Sequence, residues 1–268
     1  VYAHADVSSD ALFTVSLMIV MDVKYHESRR THVITHEQLG NKWRNTAATK
    51  LDMPPIVPDD WAAFWYVWHA EKARARRVGA DRNNTGPGGW VGMDLLPPEL
   101  AGRVRSFEQP YAPALAEACP NMMRTIREHF PISDFKIIRL WQSIVEIRPH
   151  REGWYPNSFR YPTEFRAMIH DENVRPTFYL LPITDPANAD SEEAKTRAKL
   201  THKRQYVDAK PGEAFVFNGE TAYHGAEYDP GHNKILMIVK GVLDLDRYDD
   251  LMTRSVKKYG AINMEAPA

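Results

Sequence analysis

The sequence predicts a mainly β protein with α additions, in which a helical N-terminal portion supports a C-terminal system of antiparallel strands. Beyond residue 135 the segments FKIIRLWQSIVEIRP, RPTFYLLPIT, GEAFVFNG and NKILMIVKGVLDL are rich in Val, Ile, Phe and Tyr, and polar or Pro/Gly turns separate them. Most of them have no helical pattern between them, which argues against alternating strands and helices. Before residue 135 the strongest pattern is helical: Trp61, Phe64, Trp65 and Trp68 recur at i, i+3, i+4, i+7.

Taken in order, VSLMIVMDVKY is strand-like at its centre, and THEQLGNKW opens a short helix with Thr35 as its cap. MPPIVPDD is a rigid connector whose Asp59 or Asp60 caps the helix WAAFWYVWHAEKARARR. The aromatic start of that helix reads as a packing stripe, and its basic end at Arg74, Arg76 and Arg77 suits the helix dipole. DRNNTGPGGW is a loop, and its glycines match neither nucleotide-binding pattern. LPPELAGRVRSF and the stretch from Tyr111 to Phe130 read as helices, the second packing through Leu115, Met122, Met123 and Ile126. After the strands begin, DPANADSEEAKTRAKLTHKR is a polar, partly helical excursion. No repeat or clear linker interrupts the chain. Residues 1–268 therefore read as one domain, with a mainly helical supporting portion at 1–134, a strand-rich catalytic core at 135–245 and a C-terminal extension at 246–268.

Composition narrows the function classes. A formal net charge of -1 supplies no positive field to gather nucleic acid or acidic lipid. No run approaches the roughly 18 apolar residues of a membrane span. The segment Ala11 to Met21 lacks the flanks of a signal peptide, so a cytoplasmic protein is expected. The single cysteine, Cys119, excludes an internal disulfide and a cysteine-rich metal site, and reads as a buried structural thiol.

Two stretches carry chemistry. In SIVEIRPHREGW a strand approaches Pro149, and His150 and Glu152 follow at i, i+2. In extended backbone that spacing puts both side chains on one face. An imidazole and a carboxylate on one face make two-thirds of the facial triad that suits oxygen-activating iron(II). In PGEAFVFNGETAYHGAEYDPGHNKILMIVKG a Pro-Gly turn feeds a strand, the chain turns at Asn218-Gly219, and His224 follows. Glu152 and His224 lie 72 residues apart, room for several strands of a double sheet that brings both ends together. Each residue also has an ordinary reading. His150 and His224 could be loop histidines, and Glu152 could pair with Arg148 or Arg151. Lys234 and Arg175 could be surface charges. Should Glu152 not ligate, Asp171, beside His170, is the nearest alternative carboxylate.

As a set the stretches PHRE, RPTFYLLPIT and GEAFVFNGETAYH, with Lys234 ten residues beyond His224, resemble the iron(II)/2-oxoglutarate-dependent oxygenases. Within them they are similar to the aspartyl/asparaginyl β-hydroxylase-like branch, which includes cis-proline hydroxylases. The resemblance covers roughly residues 135–245. It implies a double-stranded β-helix (jelly roll, cupin-like) fold, iron(II) held by His150, Glu152 and His224, and 2-oxoglutarate and dioxygen as co-substrates. By the same comparison Lys234 pairs with the far carboxylate of 2-oxoglutarate, and Arg175 is a second anion partner. Three departures stand out: Glu replaces the commoner Asp at 152, Lys rather than Arg stands at 234, and Pro176 and Thr177 separate Arg175 from the strand FYLLPI.

The implied reaction is hydroxylation of an unactivated C–H bond. Trp90, Trp154, Tyr155, Asn157, Arg160 and Arg166 offer aromatic walls and positive charge at the mouth of a pocket. That combination suits a small carboxylate-bearing molecule such as an amino acid or a natural-product intermediate. No basic surface is organised for nucleic acid, and a homodimer is left open. Two other classes compete: a cupin-like metal-dependent isomerase or hydrolase without 2-oxoglutarate, and a non-catalytic jelly-roll binding protein.

Overall fold

The computed structural model describes residues 43, 45–77, 90–101, 110–143, 146–150, 164–181, 204–219, 222–227 and 233–264. In chain order these form β1 (Thr46–Lys50), α1 (Trp61–Arg77), β2 (Trp90–Asp94), α2 (Pro98–Ala101), α3 (Pro113–Ala118), α4 (Pro120–His129) and β3 (Ile132–Ser143). There follow β4 (Ile147–His150), β5 (Glu164–Asp171), β6 (Phe178–Leu181), β7 (Gln205–Tyr206), β8 (Ala214–Phe217), β9 (Tyr223–Ala226), β10 (Lys234–Leu243), α5 (Leu245–Tyr259) and β11 (Ile262–Asn263). The strand-like VSLMIVMDVKY, Thr35, the loop before Trp90 and all of the polar excursion but its last residue, Arg204, lie outside the described residues.

The helices begin where local chemistry satisfies their first amides. Asp60 caps α1, its carboxylate accepting from the amides of Ala62 and Ala63 at 2.8 and 3.2 Å. Asp59 serves another helix: it accepts from the amides of Asn121 and Met122 at the start of α4. The expected single helical stretch from Tyr111 to Phe130 is two helices, because Pro120 has no N–H to continue α3 and opens α4 instead. Leu115, Met122, Met123 and Ile126 are buried as expected, and so is Cys119. Of the aromatic stripe, Phe64 and Trp68 enter the core, while Trp61 and Trp65 lie against His170.

The strands form two antiparallel sheets, in the orders β11-β1-β8-β5-β10-β3-β2 and β4-β9-β6-β7. The central eight strands pair as nested arms, β3 with β10, β4 with β9, β5 with β8 and β6 with β7. A chain folded back on itself and then wound gives this jelly-roll order. Among the described residues the two sheets face each other without closing into one barrel. The N-terminal portion is not only a helical support, since β1 and β2 extend the large sheet on either side.

The large sheet is buried on both faces. Outward residues Phe165, Ala167, Ile169, Ile235, Met237 and Val239 pack under the helices, with Phe64, Ile126 and Leu251 among their neighbours. Between the sheets Met168, Phe215, Phe217 and Leu236 meet Phe178 and Leu180 of the small sheet. Burying such side chains stabilises by about 1.5–3 kcal/mol each, and this layer holds β6 and β9 against the large sheet.

One central strand, β5, departs from the sequence reading, which placed Arg166 at a pocket mouth and gave His170 and Asp171 no strand. EFRAMIHD alternates as a strand should, but its second row carries Glu164 and Arg166. Charges in alternate positions read as a solvent face. Here that row faces the space between the sheets, and both residues are buried.

Candidate metal centre

The two histidines singled out in the sequence come together. His150 ends β4 and His224 is the second residue of β9, and the two are direct partners in the antiparallel ladder. Their ring centroids are 4.3 Å apart, with the planes inclined at 52°. Residues directly opposite across an antiparallel pair share a face. Both imidazoles therefore belong to one surface of the small sheet.

A bulge produces this alignment. Ile147 pairs with Ala226 and His150 with His224, so three steps along β4 match two along β9. Without the extra residue His150 would oppose Tyr223 and lie on the other face. The irregular segment contains Pro149, which cannot donate a ladder hydrogen bond and is tolerated at a bulge. Pairing thus continues through Pro149 to His150.

His224 is 1% exposed and packs against Phe217 and Phe178, at centroid distances of 4.6 and 5.8 Å. Its Nδ1 lies 3.3 Å from the carbonyl oxygen of Ala222. A carbonyl can only accept, so that contact sets Nδ1 as the protonated nitrogen and gives Nε2 the lone pair. A metal-ligating histidine has this arrangement, with one nitrogen donating to the protein and the other turned to the ion.

Glu152, two residues past His150, lies outside the described residues, as do Trp154, Tyr155, Asn157 and Arg160. Among the described residues no group of three His, Cys, Asp or Glu side chains could hold a metal. Those that are described fit an ion as two imidazoles on one face, the nitrogen part of a two-histidine, one-carboxylate donor set. Trp90 is the first residue of β2 rather than part of a loop, opposite Ser143 at the edge of the large sheet.

The cations are distributed differently from the expectation. Lys234 opens β10, and its ammonium contacts the Asp171 carboxylate at 3.0 Å, the Arg175 carbonyl at 2.7 Å and the Thr177 hydroxyl at 3.0 Å. An ammonium has three donors, and these three acceptors occupy them. Asp171, the alternative carboxylate ligand, is thereby committed to Lys234. Arg175 is largely exposed and pairs with Glu227 at 2.8 Å. Glu227 also accepts from Tyr206 and Arg204, and the Tyr206 hydrogen bond first, then the arginines, hold its carboxyl below the usual range.

Between the sheets lies a charged group that sequence reasoning assembled only in part. Arg166 donates through Nε to Glu164 at 2.6 Å, and its guanidinium stands 4.7 Å from the Phe178 ring and 4.8 Å from the Phe217 ring. Lys240 of β10 reaches the other oxygen of Glu164. Glu164 and Lys240 were missed; the available signal was a charge on the inward row of an otherwise apolar strand, as in KILMIVKGVL.

No protein-family model matches the chain, and no curated protein does. Among solved structures it is similar to a non-heme alpha ketoglutarate dependent epimerase, SnoN, from nogalamycin biosynthesis, at 14% identity and a TM-score of 0.39, covering 76% of this chain and 81% of that one. It is also similar to a Pseudomonas putida prolyl-4-hydroxylase at 12% identity and a TM-score of 0.35, covering 74% of this chain and 94% of that one. HygX from Streptomyces hygroscopicus, with nickel and 2-oxoglutarate bound, matches at 13% identity and a TM-score of 0.35, covering 77% and 87%. Likeness at this level assigns neither a family nor an activity, so function has to come from the chain's own side chains. Among the described residues no helix is long and apolar enough to cross a membrane.

Proposed function

We propose that this protein is an iron(II)- and 2-oxoglutarate-dependent oxygenase that hydroxylates a C–H bond of a small carboxylate-bearing molecule, such as an amino acid or a natural-product intermediate. The observation that carries the reading is the direct pairing of His150 with His224 on one face of the small sheet. The jelly-roll pairing order and the PHRE and GEAFVFNGETAYH motifs support it.

His150 and His224 hold the ion, and Glu152 supplies the third, anionic ligand. Bound iron(II), with 2-oxoglutarate and dioxygen, supplies the oxidising chemistry that no side chain can. The chain's own work is to orient and to exclude water. The Ala222 carbonyl fixes the tautomer of His224, and Phe178 and Phe217 wall the imidazole on its inner side. An ion held from one side by these three residues would have room for co-substrates on the other.

The test is an anaerobic titration of iron(II) into the protein, followed by 2-oxoglutarate, recording the visible charge-transfer band of a 2-oxo acid chelate. A saturable band that disappears in His224→Ala, with the fold intact by circular dichroism, is the expected result. Iron binding without a band would favour a metal enzyme of another kind. Folded protein that binds no iron would end the proposal.

A further inference from the structure

Helix α1 reverses the usual arrangement of a surface helix. Its charged side chains are engaged on the protein side: Lys72 donates to Gln142 at 2.6 Å, and Arg74 donates to Glu71 and to the Tyr111 carbonyl. From Trp61 to Arg74 the exposed residues are Trp61, Ala62, Tyr66, His69, Ala70 and Ala73, with no acid, lysine or arginine among them. The exposed large apolar side chains also gather here, since Val57, Trp61 and Tyr66 lie close in sequence and Tyr66 is 80% exposed. Trp61, Trp65 and His69 stack along one flank, with ring centroids 6.2 and 5.7 Å apart. A helix that is apolar all round belongs in an interior rather than against water.

We propose that α1 packs on α1 of a second copy of this chain, the two helices antiparallel about a two-fold axis. Size and charge along the helix call for the same register. Tyr66, His69, Ala70 and Ala73 are spaced i, i+3, i+4, i+7 and frame a hollow with two alanine sides. Ala62, Trp65, Tyr66 and His69 have the same spacing and frame a hollow with three ring-bearing sides. With the axis beside Val67 and Trp68, the large Tyr66 of each copy enters the first hollow of the other, and the small Ala70 enters the second. That register also sets Asp59 and Asp60, exposed at the start of the helix, opposite the basic last turn of the second copy, which holds Arg74, Arg76 and Arg77. A two-fold repeats every contact, and a parallel pairing would set acid against acid. The 17 residues of α1 span about 25 Å, and a strip of that length about 10 Å wide is small among specific interfaces. The dimer therefore exchanges with monomer at micromolar concentration.

The experiment is sedimentation velocity on the full chain from about 1 to 300 μM, the range of weak association. Wild type should pass from monomer to dimer with a midpoint of about 10–100 μM. Tyr66→Glu and Tyr66→Lys each set like charges across the axis and should raise that midpoint by about tenfold or more. Mixed in equal amounts, the two variants should associate again, because opposite charges then meet at the axis. Tyr66 is exposed, so both variants should melt as wild type does; Ala70→Glu, on the same face, is the second variant with the same expected loss. The proposal is overturned by wild type that stays monomeric at the highest concentration, whether the face is bare or another partner covers it. It is equally overturned by a dimer that Tyr66→Glu and Ala70→Glu leave unchanged, or by a mixture that associates no better than its components.

Discussion

Replacing Gly225 by alanine should damage both the fold and the proposed metal site. Gly225 follows His224 in β9 and faces Tyr179 of β6 across the ladder. A Cβ built there would stand 2.6 Å from the carbonyl oxygen of Ile147, 2.6 Å from the Tyr179 hydroxyl and 2.8 Å from its Cζ. Ordinary contacts run at about 3.5 Å or more. Neither neighbour can yield easily. The Tyr179 ring is fully buried, and the Ile147 carbonyl is backbone at the start of the bulge that aligns His150. Overpacking of this kind costs about 1–3 kcal/mol, more than the roughly 0.4–1 kcal/mol that alanine returns by restricting the unfolded chain. A net loss of about 1–2 kcal/mol should lower the urea midpoint by roughly 0.5–1 M, taking a slope near 2 kcal/mol/M. Because β4 must move to make room, iron affinity should fall by about tenfold or more where the variant is still fully folded, since two ligands must hold their spacing. The double variant with Tyr179→Phe removes the hydroxyl clash and should recover about 1 kcal/mol. A Gly225→Ala protein with unchanged midpoint and unchanged iron affinity would refute the close packing of β9 on β4.

Lys234→Met should cost about 3–5 kcal/mol in a denaturant melt, because it leaves Asp171 buried without its cation. Asp171→Asn/Lys234→Met should restore most of that loss, and equal losses in the single and double variants would show that the charge pair is not the cause. Burial pushes the Tyr179 phenol up to about 12 from 10. Above pH 10 the unfolded chain releases this proton and the native state does not, so stability should fall by about 2 kcal/mol between pH 10 and pH 12. The fall attributable to this residue is the difference between wild type and Tyr179→Phe in melts across that range, and identical profiles would sink it.

The parts of the site that sequence made legible are those with short-range signals. PHRE marked His150 at a strand end, and GEAFVFNGETAYH marked His224 beyond a turn, because strand composition and turn residues act over a few positions. The aromatic stripe of α1 and the buried Cys119 were visible for the same reason. What was misread had a local signal with the wrong sign. Glu164 and Arg166 spaced at i, i+2 look like a solvated face, and only the sheet packed over β5 makes that face an interior. Lys234 looked like a free cation because Asp171 lies 63 residues earlier in the chain.

By itself the sequence determined the strand-rich C-terminal half, the aromatic helix before it and the two candidate histidines, since side-chain periodicity and turn chemistry are properties of neighbouring residues. The tertiary structure decided the rest. A one-residue bulge around Pro149 put His150 opposite His224, and strand register cannot be read from one strand alone. Burial between two sheets put Arg166 in the interior rather than at a pocket mouth, and the ion pair with Asp171 occupied Lys234. Which charge is available to a ligand depends on what else lies within about 4 Å of it, and that is set by contacts between segments far apart in the chain.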